Sequence, residues 1–200
     1  ICEEASLFGL AAIAVRTCRN SELMIGEKVL IIGAGILGLL AGQVASAMAG
    51  RVTICDIDKK KLELAESIGF ADKVIDSSEG NLSDIAGIST YDIVMDFAGV
   101  EGMEDELIKC VKYKGKILFI AGRFRVNYNF NEAQIKEINI KQNSHFDRYD
   151  LLDAARLCKK NKISTKPLIW DVKPLSEAEK IYKILRDTPN QLLGTVFDWR

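Results

Sequence analysis

The chain has 200 residues, 48% apolar and 28% charged, which is enough for a sizeable core and too apolar for a disordered segment. A net charge near −1 argues against nucleic acid and against an anionic membrane surface as partners. The five dispersed cysteines (Cys2, Cys18, Cys55, Cys110, Cys158) contain no CxxC pair, and His145 is the single histidine. That pattern argues against a disulfide framework or a metal site and fits reduced thiols in a cytoplasmic protein.

The chain opens on Ile1 and not on an initiator Met, as a piece excised from a longer protein would, and no signal peptide is visible. Apolar residues at helical spacing (Leu7, Leu10, Ala11, Ala14, Val15, Cys18) predict a helix over Glu3–Cys18. Val29–Ile32 is a β-branched run, Ile36–Ala49 a helix and Arg51–Cys55 a second apolar strand. Between Val29 and Gly50 only Gln43 and Ser46 are polar, a length that could span a bilayer. The clustered glycines and the charges at both ends favour a βαβ core instead. A helix over Lys60–Ile68, a strand over Lys73–Asp76, a weak helix near Leu82–Ala86 and a strand over Tyr91–Asp96 follow. Next come a helix over Glu101–Val111, a strand over Lys116–Ala121, an extended Asn-rich connection over Val126–Asn131 and a strand over Ile138–Lys141. The tail reads as a helix over Asp150–Asn161, an extended segment over Leu168–Val172, a helix over Ser176–Arg186 capped by Ser176, and a strand over Leu193–Trp199. Pro167, Pro174 and Pro189 punctuate it. This alternation implies right-handed crossovers and an α/β, doubly wound parallel (Rossmann) sheet of order 3-2-1-4-5-6.

The segment KVLIIGAGILGLLAGQVASAMAGRVTICD, Lys28–Asp56, carries the dinucleotide-binding fingerprint. Gly33 permits the tight turn, Gly35 keeps the backbone bare where a pyrophosphate would approach, and Gly38 lets the helix pack on the strand. The helix N-terminus then presents unpaired N–H groups and a positive dipole end to the phosphates. Asp56 ends the second strand, where a carboxylate accepts hydrogen bonds from a ribose 2′-OH and repels a 2′-phosphate, so NAD is expected over NADP. A P-loop is disfavoured because Leu39, not Lys-Ser/Thr, follows Gly38. A methyltransferase is disfavoured by GxGxxG in place of GxGxG.

The order of motifs resembles a known family. VLIIGAGILGLLAGQVA, the acid after strand two, KKLELAESIGFADKVID, YDIVMDFAG, KGKILFIAG and PLIWDVKPLSEAEKIYKIL together are similar to the nucleotide-binding domain of the medium-chain dehydrogenase/reductase superfamily, the zinc-type alcohol and polyol dehydrogenases. The resemblance covers nearly the whole chain. It implies an NAD-dependent oxidoreductase that passes hydride between nicotinamide and an alcohol or carbonyl substrate, of which this chain is the cofactor half and by itself inactive. The catalytic zinc and most of the substrate pocket would lie in a separate chaperonin-10-like domain preceding it. Residues 1–200 then form one NAD-binding domain, with a core over 19–165 and flanking segments 1–18 and 166–200 toward the absent domain. The carried-over cofactor residues are Gly33, Gly35, Ile36, Leu37 and Gly38 at the pyrophosphate turn, and Asp56, Ile57 and Lys61 at the adenosine ribose. Phe97, Ala98, Gly99, Ala121 and Gly122 would line the nicotinamide site.

One position departs from the family. Polyol-dehydrogenase relatives carry Glu-Pro near the start of the first helix, where the Glu can ligate zinc; Gly9 and Leu10 stand there, and Glu3 and Glu4 are about two turns away. No Tyr-x-x-x-Lys pair supports a short-chain dehydrogenase site, and His145 reads better as a solvated or capping residue, so neither catalytic nor metal residues are assigned within this chain. The competing class is a non-catalytic NAD(H)-binding module. A homodimer is expected through the sheet edge at Ile138–Lys141, where Ile135, Ile138 and Ile140 supply apolar surface.

Overall fold

The computed structural model describes residues 3–188 and 192–199. Ile1, Cys2 and Pro189, singled out above, lie outside the described residues. Six parallel strands form the main sheet: β1 (Lys28–Ile32), β2 (Arg51–Asp56), β3 (Lys73–Asp76), β4 (Tyr91–Asp96), β5 (Val111–Phe119) and β6 (Asn139–Gln142). Their order is β3-β2-β1-β4-β5-β6, so the winding reverses between β1 and β4. The central strands β1 and β2 are buried on both faces and therefore read as nearly continuous apolar runs, whereas the edge strands β3 and β6 do not. Val29, Ile31, Val52, Ile54, Ile93, Met95 and Leu118 face one core, while Leu30, Ile32, Cys55, Ile75, Val94, Ile117 and Phe119 face the other.

Helices α1 (Phe8–Asn20), α2 (Ile36–Ala47), α3 (Lys59–Ile68) and α7 (Arg148–Lys159) cover the first face. Helices α4 (Leu82–Ala86), α5 (Glu104–Cys110) and α6 (Phe130–Ile135) cover the second. α1, assigned from sequence largely to a flanking segment, packs Ala11, Ala12, Ala14, Val15 and Cys18 into the first core. Asp150 of α7, almost fully buried, accepts from Arg16 and Arg19 of α1 and ties the two helices. The tail adds a second sheet, in which β7 (Asp171–Pro174) and β8 (Thr195–Asp198) pair in parallel around α8 (Ala178–Asp187), while Leu168 and Leu193 pack on the first core.

Several expected boundaries move for physical reasons. The first helix opens with a 3₁₀ turn, Glu3–Leu7. The helix expected from Glu101 begins at Glu104, because Gly102 has φ +86° and cannot continue a right-handed turn. β5 starts directly at Val111 and bulges before rejoining β4 at Lys116, with Lys114 at φ +59°. The Asn-rich connection is not a pairing strand: Asn129 caps α6, its side chain accepting from the N–H groups of Asn131 and Glu132, so Phe130 and Asn131 are helical. Ser176 does not cap α8. It sits inside a 3₁₀ turn, Leu175–Glu177, and the N-cap is Glu177, without a side-chain cap bond.

Candidate functional site

The reversal between β1 and β4 opens a cleft at the carboxyl ends of the strands, where open α/β sheets receive ligands. Its floor is the turn from β1 into α2. Gly33 takes φ +95°, and an added Cβ there would press to 3.1 Å from the Ala98 nitrogen. An added Cβ at Gly38 would lie on the Gly33 carbonyl oxygen. Both glycines are thus required by the protein itself. Gly35 is different: its φ of −69° and ψ of 179° suit any residue, and an added Cβ meets nothing within 4 Å. Gly35 is also the N-cap of α2 and makes no side-chain cap bond, so the first N–H groups of that helix have no side chain to satisfy them.

Asp56, at the end of β2, stands beside this turn. Its Oδ2 accepts from the Ala34 N–H at 2.6 Å and its Oδ1 from the Asp58 N–H at 2.9 Å, which fixes the carboxylate at the cleft wall with lone pairs to spare. Ile57 is exposed, and the mostly buried Lys61 places Nζ 3.9 Å from Asp58 Oδ2. Two hollows meet at Gly35, Lys61 and Phe97. One, of about 550 Å³, runs past Asp56, Ile57, Ser77, Asn81 and Ala98. The other, of about 340 Å³, runs past Ile36, Leu37, Gly38 and Leu10 toward Leu192 and Leu193 of the tail. A third hollow, of about 360 Å³, lies apart from the cleft beside Gln43, whose amide is already bonded to the Ser164 backbone.

The nicotinamide-side candidates divide. Phe97 and Ala98 line the larger hollow, whereas Gly99, Ala121 and Gly122 line neither and stand next to it. Gly99 has φ +68°, and an added Cβ would come to 2.8 Å from Ala121 Cβ, so the β4 and β5 ends touch. The Asp96 carbonyl accepts from the N–H groups of both Ile120 and Ala121. Gly122, like Gly35, has no neighbour within 4 Å of an added Cβ and no left-handed φ.

Sequence reasoning did not find Ser77, Asn81, Val100, Met103 and Glu106 on the cleft wall, nor a buried cluster of Asp96, Glu104 and Arg123 behind it. No residue of that cluster was marked in the sequence, since Asp96 closes a strand that already carries Asp92. On the opposite side, the Phe146 ring lies 3.8 Å from where a Gly9 Cβ would be. Among the described residues no group of three or more His, Cys, Asp or Glu side chains could hold a metal ion. His145 is exposed. No helix among the described residues is long and apolar enough to cross a membrane.

Comparison with known proteins agrees with this geometry. The model of the family described as zinc-binding dehydrogenase matches residues 37–160. Sorbitol dehydrogenase 1 of Saccharomyces cerevisiae is 27% identical over 192 residues, covering 90% of this chain and 54% of that protein. Two solved structures share the fold. A short chain alcohol dehydrogenase from E. coli CFT073, complexed with NADH, has a TM-score of 0.87 at 17% identity over 98% of this chain and 59% of its own. A zinc-binding dehydrogenase from Sinorhizobium meliloti 1021, bound to NADP, has a TM-score of 0.81 at 22% identity over 89% and 54%. The chain spans about half the length of the curated relatives it matches. With a fingerprint turn, an acid at the end of β2 and a six-stranded sheet of order 3-2-1-4-5-6, all inside or beside the matched stretch, the chain belongs to the zinc-binding dehydrogenase family, on the side of its cofactor-binding part.

Proposed function

We propose that this chain is the NAD(H)-binding domain of an oxidoreductase that moves hydride between nicotinamide and an alcohol or carbonyl carbon of a small molecule. The observation that carries this reading is Gly35. No internal contact and no backbone angle demands a glycine there, yet it sits on the cleft floor at a helix N-terminus. A bare backbone at such a place suits a pyrophosphate that must come within hydrogen-bond reach of the N–H groups of Ile36 and Leu37. When bound, the dinucleotide supplies or accepts the hydride. The protein's own residues bind and orient it: Asp56 accepts from the ribose hydroxyls, Lys61 adds positive charge beside them, and Ile57 covers the adenine side. Phe97, Ala98, Gly99, Ala121 and Gly122 shape the nicotinamide end. The residues fit that group; a catalytic zinc, where the whole protein uses one, is proposed to lie in a separate substrate domain, as the resemblance implies.

Asp56 supports NAD over NADP, since a fixed carboxylate repels a 2′-phosphate. Titration with NADH, NADPH and S-adenosylmethionine tests the reading: tight binding of NADH alone is expected, and Asp56→Ser with Ile57→Arg should narrow or reverse the preference. Equal affinity for NADPH in the wild type would remove the role given to Asp56, and binding of S-adenosylmethionine alone would remove the dinucleotide reading. The domain division proposed is one cofactor-binding domain whose core takes in α1 as well as 19–165, with the segment 166–200 lying toward a substrate domain. The exposed Trp170, Leu175, Tyr182 and Trp199 of the tail support such a docking face. A homodimer through β6 is proposed on its edge position and on the exposed Phe124, Phe130 and Ile135 near it. A cytoplasmic location is proposed on the free thiols of Cys18, Cys55, Cys110 and Cys158.

A further inference from the structure

Behind the β4 turn, three charged side chains from three elements meet out of water. Arg123, one residue past Gly122, donates through Nη2 to Asp96 Oδ2 and through Nη1 to Glu104 Oε1 at 3.2 Å. None of the three side chains is more than 4% exposed. The guanidinium also lies 4.5 Å over the Phe119 ring. Desolvating two carboxylates and a guanidinium is expensive, and packed apolar groups of the same volume usually stabilise a core as well or better. Arg123 Nε adds to that expense, being buried without a hydrogen-bond partner. Stability alone is therefore a weak reason for this cluster to exist.

Its connections supply a better one. Asp96 Oδ1 accepts from the N–H groups of Ala98 at 2.9 Å and Gly99 at 3.1 Å. Glu104 Oε2 accepts from the Gly102 N–H at 2.9 Å. One guanidinium thus joins, through two carboxylates, the backbone of the β4 turn, the entry to α5 and the end of β5. These are the segments whose contact at Gly99 and Ala121 sets the shape of the cleft beside Phe97 and Ala98.

We propose that Arg123 is a positioning residue for the nicotinamide end of the cleft, holding the Phe97–Gly99 turn against Ala121 and Gly122 through Asp96 and Glu104. This rests on the dinucleotide reading above, and the two fail differently. ADP-ribose carries the adenosine and both phosphates but no nicotinamide, so it reports the Gly35 and Asp56 half of the cleft alone. Arg123→Met leaves two buried carboxylates facing each other and risks unfolding, so the variants to use are Arg123→Lys and the double variant Arg123→Met/Glu104→Gln, checked for folding by circular dichroism. In the intact protein the double variant should bind NADH about tenfold more weakly, while its affinity for ADP-ribose stays within about twofold of wild type. The change in nicotinamide fluorescence on binding should shrink with it. Arg123→Lys, which reaches one carboxylate at a time, should recover part of the NADH affinity. Equal losses for both ligands, or unchanged affinity for both, would overturn the positioning role. Wild-type protein that binds neither ligand would overturn the dinucleotide reading and the role of Arg123 together.

Discussion

Gly35→Val separates the requirements of the fold from those of the ligand. The backbone at Gly35 is extended, with φ −69° and ψ 179°, and the added side chain points into open space. The cost to folding is then what an N-cap loses when glycine yields to a β-branched residue, about 0.5–1 kcal/mol, or about 1–4 °C in Tm for a domain of this size. The cost to binding is much larger. A valine in the pyrophosphate position removes at least two hydrogen bonds to a charged group at about 1.5 kcal/mol each, which is about a hundredfold in Kd. Gly38→Ala is the opposite case. Its Cβ would overlap the Gly33 carbonyl oxygen and sit 3.1 Å from the carbonyl carbon, so α2 must lift off the turn. A loss of about 3 kcal/mol in stability is expected there. Thermal unfolding by circular dichroism and fluorescence titration with NADH give the two readouts. A folded Gly35→Val protein whose NADH affinity stays within about threefold of wild type would refute the placement of the phosphates at this turn.

Lys136 donates Nζ to the carbonyls of Ile108, Lys109 and Val111 at 2.7, 3.0 and 2.8 Å, closing the end of α5; Lys136→Met should cost about 2 kcal/mol in urea unfolding, and a loss below about 0.5 kcal/mol would contradict that role. The Asp150 N–H, with the Tyr149 N–H and Arg16, holds the Asp147 carboxyl below its ordinary 3.8. A carboxyl lowered by folding stabilises above its unfolded value and loses that contribution as pH falls through the folded one, so Asp147→Asn should flatten the fall of Tm on acidification below the ordinary carboxylate value. An unchanged slope would count against the cap. Burial pushes the Cys18 thiol up to about 12, so iodoacetamide on the native protein should modify the half-buried Cys158 well before Cys18; early labelling of Cys18 by mass spectrometry would show that α1 opens readily. The proposed dimer predicts twice the monomer mass by light scattering at tens of micromolar, and a monomeric mass would exclude it at that concentration.

What could be read from the sequence follows from where each signal resides. β1 and β2 stand out because strands buried on both faces must be apolar throughout, and the turn between β1 and α2 stands out because Gly33 and Gly38 answer steric demands within a few residues. Sheet order was legible because crossover handedness and motif order leave few choices. Local competition hid other features. Asn129 offers its side chain to two N–H groups and so starts α6 where an extended chain was expected, and Gly102 delays α5 by its left-handed φ. The Asp96, Glu104 and Arg123 cluster was invisible for a different reason. Each residue alone resembles an ordinary surface charge, and only the meeting of β4, α5 and the end of β5 takes all three out of water.

Asp56 spends both carboxylate oxygens on backbone before any ligand arrives, one on Ala34 inside the glycine turn and one on Asp58. The residue proposed to choose between sugars is therefore also a strut of the surface proposed to hold the phosphates. For protein engineering, selectivity and affinity are mechanically joined at this position. On that proposal, a neutral replacement would admit a bulkier ribose only by slackening the turn that would hold the phosphates. Evolution toward the phosphorylated coenzyme would need a compensating acceptor for the Ala34 N–H first, so the path between the two preferences has an order, with turn reinforcement preceding the exchange of the acid.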